Sequence, residues 1–295
     1  MPCFLLYHSG MRHVYSVAIA LVLFGIGASY YAQVFSYQVS LEIVVPVPDF
    51  VIASNTAPTV SVSAYLIFDV ATGRVLAQYQ SDTVYPIASI TKLFTATAIL
   101  ENFNPESTTT ITMGDVAGEG EAGKLESGEV YTYRELLFPL LLESSNDAAL
   151  ALDHATNGTL VPLLGTVAAK YGAKNAWFAD AAGLSTENQA TARDLMAFSQ
   201  AVGERYPFVY DISGLPQYIG AYTGWRNNNP VFDSAAYRGG KHGYTPDAGR
   251  TIVARFAEPF TAGERTIGYI ILGSDNLPSD IAVLRQFVAD AVDYQ

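Results

Sequence analysis

The chain has 295 residues, half of them hydrophobic and only 15% charged, where an average soluble protein carries about 25%; a disordered chain, which needs the opposite balance, is excluded. Against 28 acidic residues stand 16 basic ones, a formal net charge of -12, so the surface lacks the cations that phosphates demand and no nucleic-acid partner is expected. One cysteine, Cys3, and four histidines, His8, His13, His154 and His242, rule out an intrachain disulfide and a thiolate metal cluster and leave little for any other metal site.

Residues 14–41 contain no charged side chain. The run VYSVAIALVLFGIGASYYAQVF is apolar enough to cross a bilayer, which takes about 20 residues; the core of a cleaved signal is usually about 7–15. Arg12 and His13 flank it on the N-terminal side and place that end in the cytoplasm. Tyr30, Tyr31 and Tyr37 fall where an interfacial belt of aromatic residues would sit. Residues 1–35 therefore read as the signal anchor of a single-pass protein of the cytoplasmic membrane. The alternative is cleavage after Ser29, which would release the exported domain. Cys3 precedes the apolar run and is not a lipid-accepting cysteine. Residues 36–58, with Pro46, Pro48 and Pro58, read as an extended tether. The exported domain, residues 59–295, carries 15 basic and 26 acidic residues.

The exported domain opens with SAYLIFDVATGRVLAQYQ, two apolar β-prone runs around Ala71-Thr72-Gly73, the pattern of a hairpin. A helix follows in ASITKLFTATAILENF, where Ile90, Leu93, Phe94, Thr97 and Leu100 share a face. Helical pattern continues through YTYRELLFPLLLESSNDAALALDHATNG, LVPLLGTVAAKYGAKNAW and TARDLMAFSQAVGERY. Strands return in GRTIVARFA and RTIGYIILGS, and Ile281, Leu284, Val288 and Val292 mark a closing amphipathic helix. Strands at both ends with helices between predict an α/β (α+β) fold: one antiparallel sheet flanked by helices, with an inserted helical subdomain.

No GxSxG elbow, HExxH, Walker loop or GxGxxG is present. Three other motifs are. Ser89-Ile90-Thr91-Lys92 puts a hydroxyl and an amine one helical turn apart on one face. A lysine in a dry cleft near other cations gives up its proton more easily and can then take one from serine. Ser144-Ser145-Asn146 sets a hydroxyl and an amide two residues apart just after an apolar helix. Lys241-His242-Gly243 opens a strand with a cation, and its glycine lets a substrate approach the backbone. Each motif has a plainer reading: an N-cap serine with an exposed lysine, a capped helix boundary, a hairpin-edge lysine. Two decoys accompany them. Ser274-Asp275-Asn276 reads as a loop after the last strand, and Lys170-Tyr171-Gly172 as a helix end. His154 reads as a helix-surface residue.

The order and contexts of the three motifs resemble the low-molecular-mass penicillin-binding proteins of the serine D-Ala-D-Ala carboxypeptidase family, over about residues 63–290. AYLIFDVATGRVLAQYQSDTVYPIASITKLFTA, ESSNDAALAL, AAGLSTENQATARDL and GGKHGYTPDAG carry the likeness. The resemblance implies a β-lactamase/transpeptidase-like fold, with the site between a sheet domain and a helical one. It implies Ser89 as the acylated nucleophile, Lys92 as its base and Ser144 as proton relay to the leaving amine. Asn146 would hold a substrate amide, Lys241 would supply positive potential, and the backbone N–H groups of Ser89 and Tyr244 would form the oxyanion hole. His242 and Thr245 would help bind the substrate carboxylate. No cofactor or metal is implied; the partners are peptidoglycan stem peptides and, as covalent inhibitors, β-lactam antibiotics.

Two departures stand out. His242 replaces the threonine usual in the third motif, and with a pKa near 6.5 it is expected to strengthen carboxylate binding as pH falls. Some members place an arginine after the last strand to grip the terminal carboxylate; here Ser279 and Asp280 lie in that region and Arg285 comes later. The leading reading is a D-Ala-D-Ala carboxypeptidase trimming stem peptides. The alternatives are a D,D-endopeptidase on cross-links, a β-lactamase, for which no Glu-x-x-x-Asn stretch stands out, and a non-catalytic wall-binding homologue.

Overall fold

The computed structural model describes residues 49–52, 57–117, 120, 123–232 and 235–295. The expected anchor at 1–35 and much of the tether lie outside them, as do Cys3, His8 and His13. In chain order the elements are β1 (Phe50–Ile52), β2 (Ala64–Asp69), β3 (Val75–Tyr79), β4 (Val84–Pro86), α1 (Thr91–Asn102), β5 (Thr108–Thr110), β6 (Val130–Thr132), α2 (Tyr133–Leu142), α3 (Asn146–Ala155), α4 (Leu160–Lys170), β7 (Gln189–Thr191), α5 (Ala192–Arg205), α6 (Phe208–Gly214), β8 (Gln217–Ile219), β9 (Gly224–Arg226), β10 (Tyr237–Thr245), β11 (Gly249–Phe260), β12 (Gly263–Ser274), α7 (Leu277–Ala291) and β13 (Val292–Tyr294).

β2 and β3 form the predicted hairpin. Gly73 takes the left-handed conformation the turn needs, with φ +71°, and the buried Asp69 carboxylate accepts from Thr72 N and Oγ1 at 2.7 Å each. The sheet has five strands in the order β10-β11-β12-β2-β3, every neighbouring pair antiparallel. The two ends of the chain meet where β12 pairs with β2, from Ile267↔Asp69 to Leu272↔Ala64, as the sequence predicts.

The alternation of β2 divides the core. Leu66 and Phe68 join Leu93, Phe94, Leu195 and Val253 on the face covered by the helices between the two strand sets. Tyr65 and Ile67 join Ile252, Ile271, Ile281, Leu284 and Val288 on the face covered by α7. Burying an aliphatic side chain of this size contributes about 1.5–3 kcal/mol, so the row Leu277, Ile281, Leu284 and Val288 suffices to hold α7. Because both faces of β2 are covered, the strand reads as continuously apolar rather than alternating.

Two expectations change in detail. Phe50–Ile52, inside the stretch read as a tether, forms strand β1 paired with β13. Phe50 is buried against Phe260 and Tyr294, with ring centroids 5.4 and 4.9 Å away; the neighbouring prolines mask this short β-prone run. Val292, expected on the last helix, lies in β13. The stretch around ESSNDAAL divides into α2 and α3, in keeping with a second motif that lies just after the apolar helix. Glu143 N and Ser145 N both donate to Pro139 O, and Ser144 turns left-handed at φ +62°. That break sits at the second motif.

Candidate active site

Ser89 occupies a single 3-10 turn, Ala88–Ile90, leading into α1. Ala88 adopts φ +49°, a conformation L-residues avoid and functional turns often hold. It is fixed from two sides: Thr91 Oγ1 donates to Ala88 O at 2.8 Å, and a Cβ on Gly183 would come within 2.1 Å of that same oxygen.

One turn along α1, Lys92 is fully buried. Its Nζ donates to Ser89 Oγ at 3.0 Å, to Asn146 Oδ1 at 2.8 Å and to Ala182 O at 2.6 Å. Asn146 is the first residue of α3. The middle serine of that motif is taken up by structure: Ser145 caps α3 by accepting from Ala148 N at 3.0 Å. Ser144 and Asn146 are both nearly fully buried.

Lys241 lies on β10 opposite Val253, and Gly243 opposite Thr251, so both face the helical side of the sheet. Lys241 is buried, and its Nζ donates to His242 O at 2.6 Å. Thr251 Oγ1 donates to Ile87 O at 3.0 Å, tying β11 to the Ser89 turn. His242 pairs with Ile252, whose side chain belongs to the α7 side of the core; the imidazole is half-buried. Burial first, then the charges of Lys241, Lys92 and Arg250, hold its pKa well below 6.5. The expected titration near 6.5 is thereby corrected: a desolvated imidazole beside three cations stays neutral at neutral pH. Tyr244 is exposed, with the Arg250 guanidinium 5.2 Å from its ring centre. Thr245 Oγ1 accepts from Ala248 N at 3.1 Å, inside the β10–β11 turn.

The structure thus brings Ser89, Lys92, Asn146, Lys241 and Gly243 to one place. The decoys lie apart from it. Lys170 pairs with Glu101, Ser274 Oγ donates to Asp280 Oδ2 at 2.7 Å, and Asn276 caps α7. Arg285 is clamped to Glu258 at 2.7 and 3.1 Å. His154 is an exposed side chain, 3.6 Å from Asp115. No cluster of three or more metal-ligating side chains occurs among the described residues.

One contributor carries no role in the sequence reading. The Asp180 carboxylate accepts from the N–H groups of Ala182, Gly183, Leu184 and Ser185 at 2.5–3.1 Å and from Asn188 Nδ2 at 2.7 Å. It folds the loop whose Ala182 O meets Lys92 and whose Ala181 O accepts from Thr95 Oγ1 at 2.7 Å. Burial pushes its pKa up, but the four backbone N–H groups outweigh that and hold it below the ordinary carboxylate value. An Asp followed three residues later by Gly, at Asp180 and Gly183, is a turn signature and the available signal.

With this geometry in hand, comparison with known proteins is direct. The model of the D-alanyl-D-alanine carboxypeptidase family matches residues 52–273, and the chain belongs to that family. A D-alanyl-D-alanine endopeptidase from Pseudomonas aeruginosa is 31% identical over 203 residues, 64% of this chain and 65% of that protein, just under two thirds of its length. D-alanyl-D-alanine carboxypeptidase DacB2 from Mycobacterium tuberculosis is 29% identical over 223 residues, 72% of this chain and 73% of that one. Among solved structures, a D-alanyl-D-alanine carboxypeptidase from M. tuberculosis superposes with TM-score 0.71 at 26% identity, covering 80% of this chain and 95% of that one.

Proposed function

We propose that the chain is a serine D-Ala-D-Ala carboxypeptidase that trims peptidoglycan stem peptides through an acyl-enzyme on Ser89. The observation that carries this is Lys92 Nζ 3.0 Å from Ser89 Oγ and shared with Asn146, in a chain of this family. With Lys92 as the neutral amine, Ser89 Oγ–H donates to Nζ; Oγ attacks the carbonyl carbon as that proton passes to Nζ, and Asn146 Oδ1 and Ala182 O accept from the ammonium that forms. The tetrahedral oxyanion develops between the Ser89 amide, in the turn that leads into α1 where helix polarity favours negative charge, and the Tyr244 amide of β10. Collapse breaks the C–N bond, the proton reaches the departing D-Ala amine through Ser144, and water then hydrolyses the ester. Lys241 adds positive potential for the terminal carboxylate, with Thr245 further along the same face of β10 and the His242 side chain on the opposite face. No cofactor takes part.

A second reading, cleavage of peptide cross-links, uses the same residues. It is favoured by the endopeptidase name of the P. aeruginosa relative and by the absence of an arginine in the region after β12, where Ser279 and Asp280 stand. No helix among the described residues is long and apolar enough to cross a membrane. The charge-free run at 14–41 supports an N-terminal anchor with the enzyme domain on the outer face of the cytoplasmic membrane, and membrane fractionation with N-terminal sequencing tests it.

Penicillin tests the mechanism. Intact mass should rise by one penicillin, on the peptide containing Ser89, and Ser89→Ala should abolish it. Lys92→Arg should do the same while the domain stays folded, since a guanidinium keeps the charge but is no base near neutral pH. Labelling that persists in Ser89→Ala removes the assignment. Incubation with a peptide ending in D-Ala-D-Ala and with a cross-linked dimer separates the two substrate readings.

A further inference from the structure

At the far end of the sheet, the close of α5, the start of α6 and strands β11 and β12 border an open cleft of about 510 Å³, within the volume range of small-molecule sites. It is remote from Ser89. Along β11, Arg255, which lines the cleft, is four residues from Thr251, which bonds the Ser89 turn, or about 13 Å of strand.

Most charges that line it cancel. Arg265 forks onto Asp69 at 2.8 and 3.0 Å, and Arg238 Nη2 stands 3.8 Å from Glu264. Arg255 is different. It is 7% exposed, with its guanidinium 3.5 Å above the Tyr210 ring centre. Its other flank is α5 at Gly203, where any Cβ would come within 2.2 Å of Nη1. Nη2 donates to Ser199 O and Oγ, Nε is buried with no acceptor, and no carboxylate forms an ion pair with Arg255 among the described residues. A buried cation without a counter-charge is held at considerable cost. At the rim, the exposed carboxylate of Asp211 also has no hydrogen bond or ion pair among the described residues. What remains unpaired is one rigidly held cation and one anion.

We propose that this cleft binds a small zwitterion of the free amino acid or short peptide class, its carboxylate on Arg255 and its ammonium on Asp211. A carboxylate entering the cleft supplies the counter-charge that the guanidinium lacks. The stacked, pre-positioned guanidinium loses little freedom in taking it. The second carboxylate favours a zwitterion over a simple anion.

Calorimetric titration of the full-length chain with alanine, acetate and ethylamine at constant ionic strength tests this. Saturable alanine binding is expected in the wild type, with acetate and ethylamine at least ten-fold weaker. Arg255→Gln should weaken alanine at least ten-fold. Because that variant also loses the Ser199 and Tyr210 packing, Asp211→Asn, an exposed change, provides the second arm: it should bind alanine no better than acetate. Absence of saturable binding, equal affinity for alanine and acetate in the wild type, unchanged affinity in a folded Arg255→Gln chain, or an Asp211→Asn chain that still prefers alanine would each overturn the proposal.

Discussion

Gly243 of β10 lies directly against the backbone amide of Ser89: a Cβ at 243 would stand 2.6 Å from that nitrogen and 2.9 Å from Thr251 Oγ1. The contact explains why the third motif ends in glycine. Strand and nucleophile turn touch through backbone, so the gap that a substrate carbonyl must enter is set by the lack of a side chain. Gly243 is not in the left-handed region, so alanine there is excluded by space rather than by φ.

Gly243→Ala should therefore push the Ser89 amide out of place and slow acylation by about 10²–10³-fold, the effect of losing one oxyanion donor. The loss of thermal stability should be modest, since the core is untouched. Rate constants for penicillin acylation, measured beside the unfolding midpoint, check this; near wild-type acylation means the strand can retreat without consequence.

Asp180 gives the second prediction. Its folded pKa is depressed, so the stability it contributes is complete above the ordinary carboxylate value, about 4, and is lost as pH falls through the lower folded value. Asp180→Asn offers an NH₂ group to backbone donors and should cost about 1–3 kcal/mol at neutral pH. It should also flatten the acid limb of the stability curve and slow acylation, because Ala182 O leaves Lys92. Unfolding midpoints from pH 2 to 7 decide it: parallel curves for variant and wild type would show that the Asp180 charge contributes nothing.

How much of this was legible beforehand differs by residue. The sheet was readable because β2 and the last strands are apolar runs bounded by turn residues, and Ser89, Lys92 and Asn146 were readable because their spacing encodes one helix face and one helix start. Three things were hidden. The left-handed turn at Ser144, held by two N–H groups converging on Pro139 O, is not reported by an apolar periodicity that shows only where the helix ends. The environment of Lys92 depends on Ala182 O, 90 residues away, and a carbonyl has no sequence signature. The neutrality of His242 depends on burial and on charges from three elements, whereas the sequence shows only its neighbour Lys241.

Asp147 follows Asn146 in α3 and is buried with Oδ1 unpartnered. Burial, then the charge of Asp115, pushes its pKa up to about 6. The folded state thus holds a proton that the unfolded chain releases near 4, and stability should fall as pH rises from about 4 to 6 and stay lower above. Asp147→Asn should raise stability at pH 7.5 by about 1–3 kcal/mol, given about 1.4 kcal/mol per pKa unit, and change little at pH 4. A variant less stable than wild type at pH 7.5 would mean that the carboxylate has a stabilising role that outweighs its burial.

The last prediction concerns His242, the middle residue of the third motif. Its side chain is on the face of β10 away from Lys241, and its pKa lies well below 6.5. Between pH 6 and 8 the imidazole is therefore neutral and can act only as a hydrogen-bond donor or acceptor. Acylation profiles of wild type and His242→Thr should run parallel over that range, offset at most by a constant factor. Stability behaves differently. The unfolded chain takes up the proton at about 6.5 while the folded chain resists it, so stability should fall as pH drops below 6.5. The slope is at most about 1.4 kcal/mol per pH unit, one proton's worth, and His242→Thr should remove it. Acylation rate constants and unfolding midpoints for both proteins from pH 4.5 to 8 separate the two effects. A rise in acylation from pH 8 to 6 that His242→Thr abolishes would show the imidazole becoming charged in the substrate complex, and the neutral assignment would then be wrong.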